Sequence, residues 1–138
     1  GPDGAVAFQV LLPSSGRVRL TVPEIAGIAA SQSPAAEVAV GATVSAKAKP
    51  KKVSSGASIR VRAIVRPAHA KQKVIRQVLK KGTWRKVKGA RTNAKGRVTS
   101  KAKAQKPKKR WTYRVVSRAK GGLAPGVSQE FVIRVKKR

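Results

Sequence analysis

The chain has 138 residues, 41% of them hydrophobic, and sets 33 Lys and Arg against 4 Asp and Glu for a formal charge of +29. It contains no cysteine, which excludes disulfides and thiol chemistry, and no run of 18 apolar residues that would cross a membrane as a helix. A charge this one-sided lies far beyond the magnitude of about 2–8 that keeps a small domain soluble, and it points to an anionic partner such as nucleic acid, a polyanionic glycan or an envelope surface.

Gly1-Pro2 resembles a protease-cleavage scar, and no signal peptide is visible after it. The stretch "GRVRLTVPEIAGIAASQSPAAEVAV" at 16–40 is a weak relative of the stretch at 110–135. Gly27-Ile28-Ala29-Ala30 lies 95 residues before Gly122-Leu123-Ala124-Pro125, and Ser33, Val38, Val40 and Arg19 stand the same distance before Ser128, Ile133, Val135 and Arg114. With a small length change, Asp3-Gly4-Ala5-Val6 resembles Lys95-Gly96-Arg97-Val98. Such a period exceeds the roughly 20–50 residues of a solenoid repeat and suits an immunoglobulin-type sandwich of roughly 100 residues. Residues 1–42 are therefore expected to be the last three strands of one such unit, and 43–138 a complete second one. Three strands without their partners carry unpaired edges. They should be poorly ordered, or borrow an edge from the complete domain or from a second chain, which would allow dimerisation.

Period-2 alternation and turn residues divide the second segment. Val44–Ala48 is a strand, and "KPKKVSSG" a turn. Ile59, Val61, Ala63 and Val65 alternate with Arg60, Arg62, Ile64 and Arg66. Val74–Leu79 is a third strand whose inward phase is open between Val74/Val78 and Ile75/Leu79. Trp84–Ala90 follows the turn "KGT", and after the turn "NAKG" Val98, Ser100, Ala102 and Ala104 alternate with Arg97, Thr99, Lys101 and Lys103. "QKPKKR" is a loop, Tyr113 and Val115 lie on one face of the next strand, and Phe131, Ile133 and Val135 on one face of the last. Seven short strands near ten-residue spacing, broken by Pro50, Pro67, Pro107 and Pro125, predict an all-β, immunoglobulin-like antiparallel β-sandwich preceded by a partial copy of itself.

The motifs "SSGASIRVRAIVRP", "KKGTWRKVKGARTNAKGR" and "TYRVV…GGLAPGVS" resemble the Ig-like repeats of secreted and surface proteins of high-GC Gram-positive bacteria. The resemblance covers about two-thirds of the chain. It implies a β-sandwich, a secreted or cell-surface setting and often a spacer or carbohydrate-related role, with no catalytic residues. This chain departs from the family pattern in charge, since Lys and Arg stand where Thr, Ser or Asp are common.

Catalytic chemistry is hard to assemble. His69 is the only histidine and reads as an exposed loop residue; Asp3, Glu24, Glu37 and Glu130 are scattered, so neither a metal site, nor an acid–base pair, nor a bound cofactor is expected. Tyr113 and Trp84 are expected in the core, while Trp111 could also serve as a stacking platform for bases or sugars.

The charge itself is localised. Residues 43–138 hold 31 basic residues against the single acid Glu130, a balance of +30, whereas 1–42 hold two basic residues and three acids. In this fold the first strand pairs with the second and the second with the fifth. Lys47, Lys49, Arg60, Arg62, Lys101 and Lys103 should then share one outward face, about 6.8 Å apart along strands and about 4.8 Å across them. Lys106, Lys108, Lys109 and Arg110 would add a loop clamp, and Arg114, Arg118, Arg134 and Lys136 should point outward from the other sheet. No recognition helix, zinc finger or ribonucleoprotein motif reads bases. The expected partner is thus a polyanion bound mainly through counterion release: nucleic acid such as extracellular DNA, an anionic cell-wall polymer of teichoic type, or a sulfated glycan. The alternatives are a structural stalk held to its own anionic wall and an accessory domain of a larger secreted enzyme.

Overall fold

The computed structural model describes residues 5–104, 106 and 109–136. Among them the chain forms strands and no helix. The strands are β1 (Gly16–Val18), β2 (Thr21–Val22), β3 (Ser31–Gln32), β4 (Ala36–Val38), β5 (Thr43–Lys49), β6 (Lys52–Ser54), β7 (Ser58–Arg66), β8 (Lys73–Lys80), β9 (Thr83–Arg91), β10 (Arg97–Lys103), β11 (Lys109–Ser117), β12 (Gly126–Val127) and β13 (Phe131–Lys136). Among the described residues no helix is long and apolar enough to cross a membrane.

Two sheets carry the core. One has the order β10-β7-β5; the other runs β6-β13-β11-β8-β9, with β12 continuing the line of β13 along β11. All pairings are antiparallel except β6 with β13. Alternation decides which residues go inside. Val44, Ala46 and Ala48 of β5, Ile59, Val61, Ala63 and Val65 of β7, and Val115, Ile133 and Val135 from the facing sheet form one buried cluster. Tyr113 is 4% exposed and stacks on Phe131, ring centroids 5.9 Å apart. Phe131 itself is only half-buried, at the margin of the cluster.

The turn expected at "NAKG" is held by Asn93, whose Oδ1 accepts the backbone N–H groups of Lys95 and Arg97, each at 3.0 Å. Gly96 closes it with φ +69, and a Cβ there would stand 2.4 Å from the Val65 carbonyl oxygen. Only glycine meets both demands.

Two expectations change and one open point is resolved. The "KPKKVSSG" stretch is not simply a turn, because it contains β6. After Pro50 the chain crosses to the larger sheet, where β6 supplies backbone partners to the edge of β13 and Val53 fills a core position. The phase of β8 resolves with Val74, Arg76 and Val78 inward, yet Ile75 is buried as well. A bulge between Arg76 and Gln77 leaves Val87 of β9 without an opposite residue. Finally, β11 begins at Lys109, so Lys109 and Arg110 leave the expected loop; β13 offers them Val135 and Arg134 as backbone neighbours.

The N-terminal segment reproduces part of this architecture residue by residue. Gly16, Arg17 and Val18 of β1 oppose Val38, Glu37 and Ala36 of β4, and 95 residues later Trp111, Thr112 and Tyr113 oppose Ile133, Val132 and Phe131. Thr21 and Val22 oppose Gln32 and Ser31, as Val116 and Ser117 oppose Val127 and Gly126. The bridge Ile25–Ile28 recurs as Lys120–Leu123. Ser33 Oγ accepts the Leu20 N–H at 2.8 Å, as Ser128 Oγ accepts that of Val115 at 2.9 Å.

The third expected strand does not form. Residues 5–15 contain no strand, and Val6, Phe8 and Val10 are 70%, 57% and 55% exposed. Their counterpart is β10, whose partner is β7. Nothing among the described residues occupies the place of β7 beside them, so the backbone has no ladder to join. The hairpin persists because its two strands satisfy each other. Nor does it pair as a strand with an edge of the two core sheets. The N-terminal segment meets the stretch between β11 and β12 where Ser15 N donates to Gly122 O at 2.8 Å and Ala124 N to Val40 O at 2.8 Å.

Two measurements check this account. Ser128→Ala strands the buried Val115 N–H and should cost about 1–3 kcal/mol, whereas Ser33→Ala breaks the equivalent bond where water replaces it and should change stability by less than about 0.5 kcal/mol; urea unfolding of both variants tests the contrast. Deleting residues 1–41 should leave a cooperative unfolding transition for 43–138, and its loss would show that the two parts fold as one.

Candidate polyanion-binding face

On β5, β7 and β10 every apolar residue that turns inward sends its neighbour outward. The register aligns these neighbours into rows. Lys49, Arg60 and Lys101 stand side by side across the sheet; Lys47, Arg62 and Thr99 form the next row. Lys103 lies opposite Ser58 at one end. The six cations named from the alternation are thus all on one face and all exposed. None of their side-chain nitrogens has a hydrogen-bond or ion-pair partner among the described residues, where the ion pair present is Arg17–Glu37 at 3.1 Å. The stems of five of them, Lys47, Lys49, Arg60, Arg62 and Lys101, line an open trough of 880 Å³ together with the shorter Ser45 and Ser58, Ile64 and Pro50. A stretched polyanion laid here would meet charge from three strands and apolar stems beneath.

Two further arginines share this face. Arg97 stands opposite Ile64, and Arg66 opposite Thr43. Arg66 continues the alternating series of Arg60 and Arg62, and Arg97 that of Lys101 and Lys103, so the signal was present in the sequence. Arg66 differs because its guanidinium donates to the Lys95 carbonyl at 2.7 Å, which anchors it to the β9–β10 turn.

The clamp expected at 106–110 is not assembled on this face. Lys106 is exposed beyond the end of β10, while Lys109 and Arg110 belong to β11 in the other sheet. Arg110 is exposed opposite Arg134. Lys108 lies outside the described residues. Trp111 faces the core margin, its indole Nε1 buried without a partner and Lys80 Nζ 5.6 Å from its ring centre, so it does not stand free as a stacking platform on the basic face.

Trp84 is not in the core. It sits opposite Leu79 on the outer face of the larger sheet, with the Arg114 guanidinium 4.3 Å from its ring centre. Arg114 Nε also donates to Gln77 Oε1 at 2.8 Å. Residues directly opposite in a ladder share a face, so Trp84 follows the outward phase of Leu79. The stacking engages one of the cations that the other sheet presents, whereas the trough cations are unengaged. His69 is half-buried instead of exposed, its ring against Gly121. No three His, Cys, Asp or Glu side chains cluster as a metal site among the described residues.

One cation lies inside. Arg76 is 6% exposed, reaches across the core to Ser100 Oγ at 3.0 Å, and leaves its Nε without a partner. Burial lowers its pKa from the usual arginine value, and the nearby Tyr113 hydroxyl acts in the opposite direction; burial correspondingly raises Tyr113.

No protein-family model matches the chain, and no curated protein matches it in sequence at a significant level.

Proposed function

We propose that residues 43–138 form an immunoglobulin-like β-sandwich on a secreted or cell-surface protein and bind polyanions, without catalysis, through the outer face of β5, β7 and β10. The observation that carries this reading is the set of Lys47, Lys49, Arg60, Arg62, Lys101 and Lys103 on adjacent strands, exposed and unpaired. Holding like charges at strand spacing raises the free energy of the folded state. A bound chain of phosphates, sulfates or uronates would relieve it, and in doing so would release condensed counterions. Arg97 is included in the face on the same grounds.

A second reading is favoured by the hairpin at 16–38, whose register recurs 95 residues later. It makes the chain part of a tandem array, in which 1–42 closes a preceding repeat and the domains space a larger protein from an anionic wall. In that case charge would hold the stalk to the wall without any discrete site, and reversing one face would matter no more than reversing another.

Binding of duplex DNA, heparin, teichoic acid and a neutral glycan at two salt concentrations separates these readings. For duplex DNA the slope of log affinity against log salt should be about −0.9 per phosphate neutralised, with little dependence on sequence. Changing Arg60, Arg62, Lys101 and Lys103 together to Gln should make that slope shallower by about 3–4. The same number of changes at Arg110, Arg114, Arg134 and Lys136 should have a smaller effect. Equal effects from the two sets favour the stalk, and an absence of binding to every polyanion at low salt overturns both.

A further inference from the structure

Arg76 presents a problem independent of the outer face. Its guanidinium carries a permanent charge into the space between the sheets, 94% out of solvent by its 6% exposure. No carboxylate is at hand: the described acids are Glu24 and Glu37 on the N-terminal hairpin and Glu130 just before β13, and the ion pair present involves none of the core cations. A buried charge without a counter-charge costs several kcal/mol, and arginine does not escape by losing its proton. One of its donors reaches Ser100 Oγ; Nε reaches nothing.

A small void lies beside it. It measures 20 Å³ and is lined by Arg76, Lys88 and Ser100 together with apolar residues that include Val61, Val74 and Val115. Lys88 stands directly opposite Arg76 across the β8–β9 ladder, at the bulge. Ser100 comes from β10, so the void is closed by the edge strands of both sheets. Its size decides what could enter. About 10–15 Å³ is enough for one water-sized body, so a monatomic ion fits and a phosphate or sulfate does not.

We propose that this void is a binding site for a single chloride-sized anion, held by Arg76 Nε with Lys88 and Ser100 around it. The ion would supply the counter-charge that the chain lacks and satisfy the orphaned donor. It would also tie β8, β9 and β10 together where the edge strands of the two sheets meet. This site is separate from the outer face and takes a different class of anion.

Bromide, which substitutes for chloride and scatters anomalously, gives the direct test. Crystals of the full chain grown in sodium bromide should show an anomalous peak within hydrogen-bond reach of Arg76 Nε. In solution the melting temperature should be about 5 °C or more higher in chloride than in gluconate at equal ionic strength, and the gain should saturate. Arg76→Met should keep the general stabilisation that any salt gives so basic a chain, but lose the difference between chloride and gluconate. Lys88→Gln, an exposed change, should weaken the chloride effect without unfolding the protein. A void holding only water in the bromide map overturns the proposal, as does a chloride preference that survives Arg76→Met.

Discussion

The constraint on which this molecule depends is that β5, β7 and β10 each have only one face that can be buried. Alanine and valine alternate with lysine and arginine along them, so a shift of one residue would place several cations between the sheets. Burial of Val44, Ala46, Ala48, Ile59, Val61, Ala63 and Val65 against Val115, Ile133 and Val135 fixes the register. The alignment of the cations into rows is a consequence of that register. The proposed function is therefore written into the hydrophobic pattern as much as into the charges.

The core that pays for this arrangement is thin. Many of its members are alanine, and its largest fully buried hydrophobic side chains are aliphatic. Aromatic rings help from the margins, with Tyr113 inside and Phe131 and Trp111 partly covered. A core of this kind has little surplus against a net charge of +30 over residues 43–138. It follows that solution anions, at the surface and beside Arg76, should weigh more in the energetics of this chain than in a domain of mixed charge. The one arginine inside the core and the arginine stacked on Trp84 show two different solutions to the same excess: one is sequestered with a serine, the other spread over an aromatic face.

The N-terminal hairpin separates what a backbone can do locally from what needs a neighbour. Its two strands exchange their own hydrogen bonds and adopt the register of 111–133 without the rest of a domain. The stretch before it carries an alternation like that of β10, but extended backbone without a ladder partner has no reason to become a strand. Its apolar residues stay exposed for the same reason.

From the residues alone the all-β class, the seven principal strands of 43–138, the inward set on β5, β7 and β10, and the six cations sharing a face could all be read. Each rests on strict period-2 alternation, which specifies face without reference to anything distant. Four features were decided only by tertiary structure. The phase of β8 was not legible because its apolar residues fall on both faces, Val74 and Val78 on one and Ile75 and Leu79 on the other; pairing with β11, where Val78 stands opposite the buried Tyr113, turned Val74 and Val78 inward. The strand β6 and the early start of β11 depended on the free edges of β13, which no local pattern announces. Trp84 went outward because its partner strand, and not its own hydrophobicity, sets its face. Arg76 went inward because the position between Val74 and Val78 lies on the buried side, and strand geometry overrode the preference of a charge for water.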